Sequence, residues 1–457
     1  MNSTLMNNSL TQYLDLYDSA RPLIESASPA ALNDLRPAAL QALQAFGRFP
    51  RRGDESYATT DVNALYAADF GLNLNRLPLG ADASFRCDIP ALSTLMGVTV
   101  NDSFLPSPAL ERTLPQGVEV MPLARAAELY PELVASHLNG LAANATAVSA
   151  LNTLLLQDGV FVRVADGVSL DRPVQIVNTF RSSAAVMAVR RVLLVAGEGS
   201  SVRLLLCDHS PADGISRLSC QITEIYAGAG SHVELYDLEK NSRSTARTAE
   251  LHARLERGAR LSLNASTLTG GSTRNAYTVT LEGEGAEASL SGLAIGSGTQ
   301  TADTSVRLRH TAPHCSSQQL FKYVLFDSAR GDFNGIIRVD HGAVGTSAVQ
   351  TNRNLLACTD ARMHTEPQLE IYCDDVRCGH GAATGQLDEQ ALFYMQQRGI
   401  PRDQARMMLI QAFMADVVDA IGPDALRDRI RLLVEKRLGC TSPVCGDCAA
   451  ACATSKS

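Results

Sequence analysis

The spacing of apolar residues changes character along the chain. Over residues 1–150, apolar positions recur every three or four residues, which predicts amphipathic helices joined by loops. Over residues 151–384, short runs of apolar and β-branched residues alternate with glycine, which predicts strands. Helical spacing returns over residues 385–438, and residues 439–457 form a cysteine-rich tail. The pattern therefore predicts a mainly β core between two helical regions.

A unit of strand, glycine turn and strand repeats within the central region. The turn glycines Gly199, Gly230, Gly258 and Gly285 are 31, 28 and 27 residues apart, and two further periods end near Gly342. One unit cannot bury its apolar face alone, whereas stacked units form a continuous core, as in a β-solenoid. An antiparallel β-sandwich of hairpins is the alternative that this pattern also allows.

The C-terminal region predicts three helices, with acidic residues at the start of the first and Gly399 at its end. The apolar stripes of the first two helices form either part of the protein's own core or a docking face for a second protein. The candidate partner-binding residues are Leu387, Leu392, Phe393, Met408, Leu409 and Phe413.

Composition and charge exclude several functional classes. The 457 residues are 45% hydrophobic and 19% charged, as is usual for a globular protein of two or three domains. A net charge of −8 without a dense Lys/Arg stripe argues against nucleic acid as a partner. The N-terminal sequence lacks the features of a signal peptide, and no uninterrupted apolar run reaches membrane-spanning length. We therefore expect a cytoplasmic protein that does not enter a membrane.

A cysteine and a histidine lie close to the end of the strand region. Cys378 and His380 are two residues apart, so in a strand their side chains point to the same face. A thiolate and an imidazole there could bind one metal ion. On spacing alone, a pair that simply packs or faces solvent is the alternative, because two donors are half of a tetrahedral shell.

The tail contains four further cysteines. Cys440, Cys445, Cys448 and Cys452 are separated by four, two and three residues. Because cytoplasmic thiols stay reduced, clustered cysteines there bind metal more often than they form disulfides. The spacing allows a four-cysteine site for zinc or an iron–sulfur cluster, and a disordered tail is the alternative.

Three stretches of the sequence resemble the SufD family of the SUF iron–sulfur cluster assembly system. They are residues 151–176, residues 326–354 with FxGxIxV at 333–339 and QTNR at 350–353, and residues 368–400. Within the last stretch, CGHG at 378–381 and QLDEQALFY at 386–394 look like SufD rather than its paralogue SufB. The resemblance extends over roughly two thirds of the chain.

The resemblance implies a right-handed parallel β-helix and a non-catalytic scaffold. Its expected partners are a SufB-like paralogue at the solenoid end and a SufC-like ABC ATPase on the C-terminal helices. A nascent iron–sulfur cluster, or its iron, is expected at Cys378 and His380 on the end that faces SufB. Reduced flavin is associated with complexes of this family. The sequence contains no phosphate-binding GxxxxGK loop, so ATP hydrolysis is expected in the ATPase partner.

Two other functions stay open at this point. A β-helix also carries the sites of exported carbohydrate-active enzymes, which predicts export, paired carboxylates and stacking aromatics. This chain has no Trp and only 5% aromatic residues. The other alternative is a SufB-like scaffold that works as a homodimer, which a labile cluster on this chain alone would favour.

Overall fold

Strands lie mainly in the centre of the chain and helices toward both ends. The computed structural model describes residues 8–77, 92–105 and 107–439. In chain order its strands are β1 (Leu95–Val100), β2 (Ser103–Phe104), β3 (Val118–Pro122), β4 (Val160–Val164), β5 (Val174–Thr179), β6 (Val186–Ala196), β7 (Ser201–His209), β8 (Arg217–Ala227), β9 (His232–Lys240), β10 (Thr245–Leu255), β11 (Arg260–Thr269), β12 (Ser272–Leu281), β13 (Glu287–Gly296), β14 (Thr301–His310), β15 (Ser316–Leu325), β16 (Arg330–Val339), β17 (Thr346–Leu356), β18 (Arg362–Ile371) and β19 (Val376–Gly385). Its helices are α1 (Ser9–Ser26), α2 (Ala30–Asn33), α3 (Arg36–Phe46), α4 (Val62–Leu65), α5 (Pro108–Thr113), α6 (Leu123–Leu129), α7 (Pro131–His137), α8 (Ala147–Leu155), α9 (Glu389–Gln397), α10 (Arg402–Asp419) and α11 (Asp424–Gly439).

The strands from β4 onward form a parallel β-solenoid, which confirms the predicted stacking of repeats. The odd-numbered strands run through one sheet and end at β19, while the even-numbered strands run through the other and end at β18. Residues one coil apart are neighbours, as Leu263 and Leu290 are. The side chains between the sheets form one long apolar core. A sandwich of hairpins is excluded, because strands consecutive in the chain lie in different sheets.

The predicted turn glycines form a ladder along one corner of the solenoid. Gly230 and Gly258 have φ of 65° and 66°, and they donate their N–H groups to carbonyls one coil further on, at 2.8 Å and 2.9 Å. The ladder continues through His314, whose φ is 58°, and then Gly345. The last residue of this ladder, Gly345, is therefore three residues beyond the predicted Gly342, and the residue before it in the ladder, His314, is not a glycine.

The N-terminal region contributes strands that the hydrophobic pattern did not predict. β1 pairs in parallel with β5, and β3 pairs antiparallel with β4, so both extend the solenoid sheets. Within the predicted helical region, residues 123–137 form two helices, α6 and α7, which are divided at Pro131 because its nitrogen cannot donate a helical hydrogen bond. Helices α1, α3 and α8 pack on the outer face of the even-numbered sheet.

The C-terminal helices pack back along the outer face of the odd-numbered sheet. Side chains of α10 and α11, including Ile410, Val417 and Leu433, share an apolar cluster with Leu238 and Val324 of that sheet. The helices therefore cover the sheet over the coils from β7 to β17. Among the described residues, none of the helices has both the length and the apolar composition needed to cross a bilayer.

Candidate functional site

The C-terminal end of the solenoid is an open rim formed by β18 and β19. In the described residues each of these strands pairs with one neighbour within its sheet, β18 with β16 and β19 with β17. All twenty residues of the two strands are exposed or only half-buried. Their outer edges present unpaired backbone N–H and C=O groups, which another chain can pair with.

Cys378 and His380 lie on this rim, on β19. Their register partners on β17 are Ala348 and Gln350, which are both completely buried in the solenoid. The alternation of a strand therefore places both Cys378 and His380 on its interior side. Cys378 is half-buried against an apolar cluster that includes Ile337, whereas His380 is exposed. The structure thus brings a thiol and an imidazole together at the open end.

The electrostatics of Cys378 favour the thiol over the thiolate. Burial raises the pKa of the Cys378 thiol, and a hydrogen bond with the backbone of Ala348 partly opposes this effect. Because soft metals bind the thiolate, metal binding at Cys378 would release a proton.

One stack of interior residues changes from apolar to polar as it approaches this rim. His380 is the last member of a stack of register partners on the odd-numbered strands. In order toward the rim, the stack contains Val174, Leu204, Leu235, Leu263, Leu290, Gln319, Gln350 and His380. Amide side chains therefore replace leucines in the two coils directly beneath His380.

Other polar residues near the rim lie on the outer face of the even-numbered sheet. His364 Nδ1 is 2.9 Å from Asp332 Oδ1, and Asp332 Oδ2 accepts a hydrogen bond from the Thr59 backbone at 3.2 Å. Glu370 forms an ion pair with Arg338 at 3.4 Å. Within the ranges that the structure describes, no group of three or more His, Cys, Asp or Glu side chains is arranged to hold a metal ion. The tail cysteines Cys440, Cys445, Cys448 and Cys452 lie outside those ranges.

The candidate partner-binding residues on the helices fall into two groups. Leu392 is completely buried, while Leu387 and Phe413 pack against the apolar cluster on the protein's own sheet. Phe393 and Met408 are 62% and 43% exposed, and Leu409 is half-buried. The stripe is thus divided between the protein's core and its surface.

Sequence reasoning missed a charged network inside the solenoid. Arg247 is completely buried, and its guanidinium lies 2.7 Å from Asp237 and 3.0 Å from Asp208. Glu239 lies 3.9 Å from the same guanidinium, and burial raises the pKa of Glu239 to about 7. Charged residues that alternate with apolar ones usually mark a solvent-facing strand side, so no signal in the sequence distinguished this network from surface.

Comparisons with known proteins place almost the whole described chain within one family. Residues 179–413 match the family model described as the SUF system FeS cluster assembly SufBD core domain, and residues 7–176 match the SufBD protein N-terminal region. The chain is 26% identical over 403 residues to an iron–sulfur cluster assembly SufBD family protein of Synechocystis, which covers 85% of this chain and 88% of the relative.

Two relatives carry the name iron–sulfur cluster assembly protein SufD. The Escherichia coli protein is 38% identical over 174 residues, which are 38% of this chain and 41% of that protein. The Bacillus subtilis protein is 27% identical over 329 residues, which are 71% of this chain and 74% of that protein.

Proposed function

This chain belongs to the SufBD family of iron–sulfur cluster assembly proteins, and on that premise we propose that it is a non-catalytic scaffold subunit. A nascent iron–sulfur cluster, or its iron, is held at the rim by Cys378 and His380. The observation that carries this proposal is the position of both donors on an end strand, beside unpaired backbone groups. Thiolate and imidazole are ligands that iron in clusters accepts.

The remaining ligands come from a SufB-like paralogue that docks on the same rim. The outer edge of β19 supports strand addition, because main-chain hydrogen bonds give affinity and side chains give specificity. Ile371 and Tyr372, which are exposed beside the rim, add apolar contact area. A cluster shared between two chains can be completed and released as the chains move, because neither chain encloses it alone.

A SufC-like ATPase docks on the C-terminal helices and supplies ATP hydrolysis. The exposed side chains Phe393 and Met408 of α9 and α10 provide its apolar contacts. Leu387 and Phe413 pack against the apolar cluster on the sheet. A force applied to the helices is therefore transmitted to the sheet that ends at the rim.

The test is anaerobic purification of the full chain from its own host, followed by measurement of co-purifying proteins, iron and acid-labile sulfide. We expect a larger paralogue, an ABC-type ATPase and a labile cluster. Cys378→Ser and His380→Asn should each remove iron and sulfide while both partners are retained. Cys373→Ser is the matched control, since Cys373 is also half-buried in the last coil.

Two outcomes would contradict this function. If the iron content is unchanged in both rim variants, the cluster is bound elsewhere, and the cysteine tail is the next candidate. A labile cluster on a preparation that contains only copies of this chain would instead establish the homodimeric SufB-like alternative.

A further inference from the structure

Gln350 lies directly beneath His380 in the interior of the solenoid. The two residues are register partners on β17 and β19, and Gln350 is completely buried. Its Nε2 donates a hydrogen bond to Oε1 of Gln319, one coil deeper, at 2.9 Å. Its own Oε1 has no hydrogen-bond partner within the described part of the chain. A buried acceptor without a partner costs about 1–3 kcal/mol, so this atom needs a donor.

The facing strand holds the Gln350 amide in place. A Cβ atom at Gly335 of β16 would clash with Nε2 of Gln350 and would lie 2.7 Å from its Cδ. Only glycine at this position leaves space for the amide. This contact gives a physical reason for the glycine of the FxGxIxV sequence and for the glutamine that begins QTNR.

Side-chain hydrogen bonds between successive coils are a feature of this part of the interior. Gln319 bonds to Gln350, and Asn354 Nδ2 donates to Thr384 Oγ1 on β19 at 3.1 Å. Each of these pairs consists of register partners. Nε2 of Gln350 is bonded to the preceding coil, and in the following coil the register partner of Gln350 is His380.

We propose that Gln350 is the positioning residue of His380, through a hydrogen bond from one ring N–H of His380 to Gln350 Oε1. A neutral imidazole has one N–H donor and one nitrogen lone pair, so this bond fixes the tautomer. The lone pair then belongs to the other nitrogen, which faces the rim. Binding of cluster iron by this nitrogen rests on the proposed function. The hydrogen bond between His380 and Gln350 does not depend on that function.

The hydrogen bond is tested by NMR of the full-length chain labelled with ¹⁵N-histidine, with His380→Asn to assign the His380 signals. Wild type should show one His380 tautomer, and Gln350→Met, which removes the amide acceptor at similar volume, should show a mixture. Gln350→Glu keeps an acceptor oxygen and should restore the single tautomer. Asn354→Leu, which breaks the neighbouring coil-to-coil bond, is the control that should leave His380 unchanged.

A second variant covers the case in which Gln350→Met does not fold. Gly335→Ala displaces the amide without removing it, and it should also give mixed His380 tautomers. The inference is overturned if wild-type His380 is already a mixture, or if both variants keep the single tautomer.

Iron content of the anaerobically purified complex separates this inference from the proposed function. Loss of an outer-shell hydrogen bond to a metal ligand typically lowers metal affinity 10–100-fold, so iron retained by Gln350→Met at a limiting iron concentration should fall by at least about tenfold. If the tautomer responds as expected but the wild-type complex holds no iron, the proposed function fails and the positioning role stands. If His380→Asn removes iron but Gln350→Met leaves the tautomer unchanged, the proposed function stands and the positioning role fails.

Discussion

Replacing Arg247 by Met should destabilise the solenoid strongly, and more so at alkaline than at acidic pH. Arg247 is the central cation of the interior network, with Asp237 at 2.7 Å and Asp208 at 3.0 Å. Removing one partner of a buried ion pair typically costs 3–5 kcal/mol, because the other charge stays buried without compensation. Here three carboxylates lose their shared cation, so we expect a loss of at least about 3–5 kcal/mol at pH 7.5.

The pH dependence follows from the carboxylates of the network. In the wild type, burial already raises the pKa of Glu239 from its ordinary value of 4.5 to about 7. The folded protein therefore binds more protons than the unfolded chain between these values, and stability falls as pH rises through this window. A shift of this size corresponds to about 3 kcal/mol. Without Arg247 the carboxylates should protonate still more readily in the folded state. The loss of stability of Arg247→Met relative to the wild type should therefore be smaller near pH 5 than at pH 7.5.

The assay is urea unfolding followed by circular dichroism at pH 5.0 and pH 7.5. Arg203→Met is the matched control, since Arg203 forms an ion pair with Glu234 at 3.1 Å but its side chain is 40% exposed. That surface pair should contribute less than about 1 kcal/mol at either pH. Equal losses for the two variants, or a loss for Arg247→Met that does not change between the two pH values, would refute the role of the network.

Three further predictions concern stability and docking. Gly258→Ala should lower the free energy of unfolding in urea by about 1–2 kcal/mol, because a φ of 66° disfavours a residue with a Cβ even though the space around it is open. His314→Gly, at the equivalent turn of a later coil, should raise the free energy of unfolding by up to about 1 kcal/mol. Glu239→Gln should remove the decrease in stability between pH 4.5 and pH 7, and above pH 7 the variant should be more stable than the wild type by up to about 3 kcal/mol. A pH profile of stability as steep as that of the wild type would contradict this prediction. Leu392→Ala should lower stability by about 2–5 kcal/mol, whereas Phe393→Ala should leave the melting temperature unchanged and reduce capture of the ATPase in the purification; the opposite pattern would exclude Phe393 from the docking surface.

The repeat in the sequence favoured stacked coils, because a turn in the left-handed region recurs in each coil, but it also allowed a sandwich of hairpins. The resemblance to SufD was needed to choose the solenoid. The exception at His314 shows the limit of this reasoning. A non-glycine residue can occupy the left-handed region at a moderate cost, so a rung of the ladder does not have to be a glycine. Strands β1 and β3 were missed for another reason: each is short and joins the sheets through pairing with β5 or β4, which no local pattern reveals.

The candidate site was predicted in part. The period of a strand was enough to place Cys378 and His380 on one face, and the structure adds that this face is continuous with the solenoid interior. What lies beneath them depends on register across coils. The stacking of His380 on Gln350 and Gln319 joins residues 30 and 61 positions apart, and the sequence offers no local signal for such an alignment.

The partner-binding stripe shows why a helical period does not identify a docking surface. The period establishes that α9 and α10 each have an apolar face, but not what covers that face. In the structure, much of it covers the outer face of the odd-numbered sheet, where Phe413 packs with the solenoid and Lys322 Nζ lies 4.9 Å from its ring. A second protein can therefore use only the side chains that remain exposed. Since Phe393 and Met408 meet this condition, the proposed docking surface is narrower than the stripe, and its disruption should weaken partner binding without unfolding the helices.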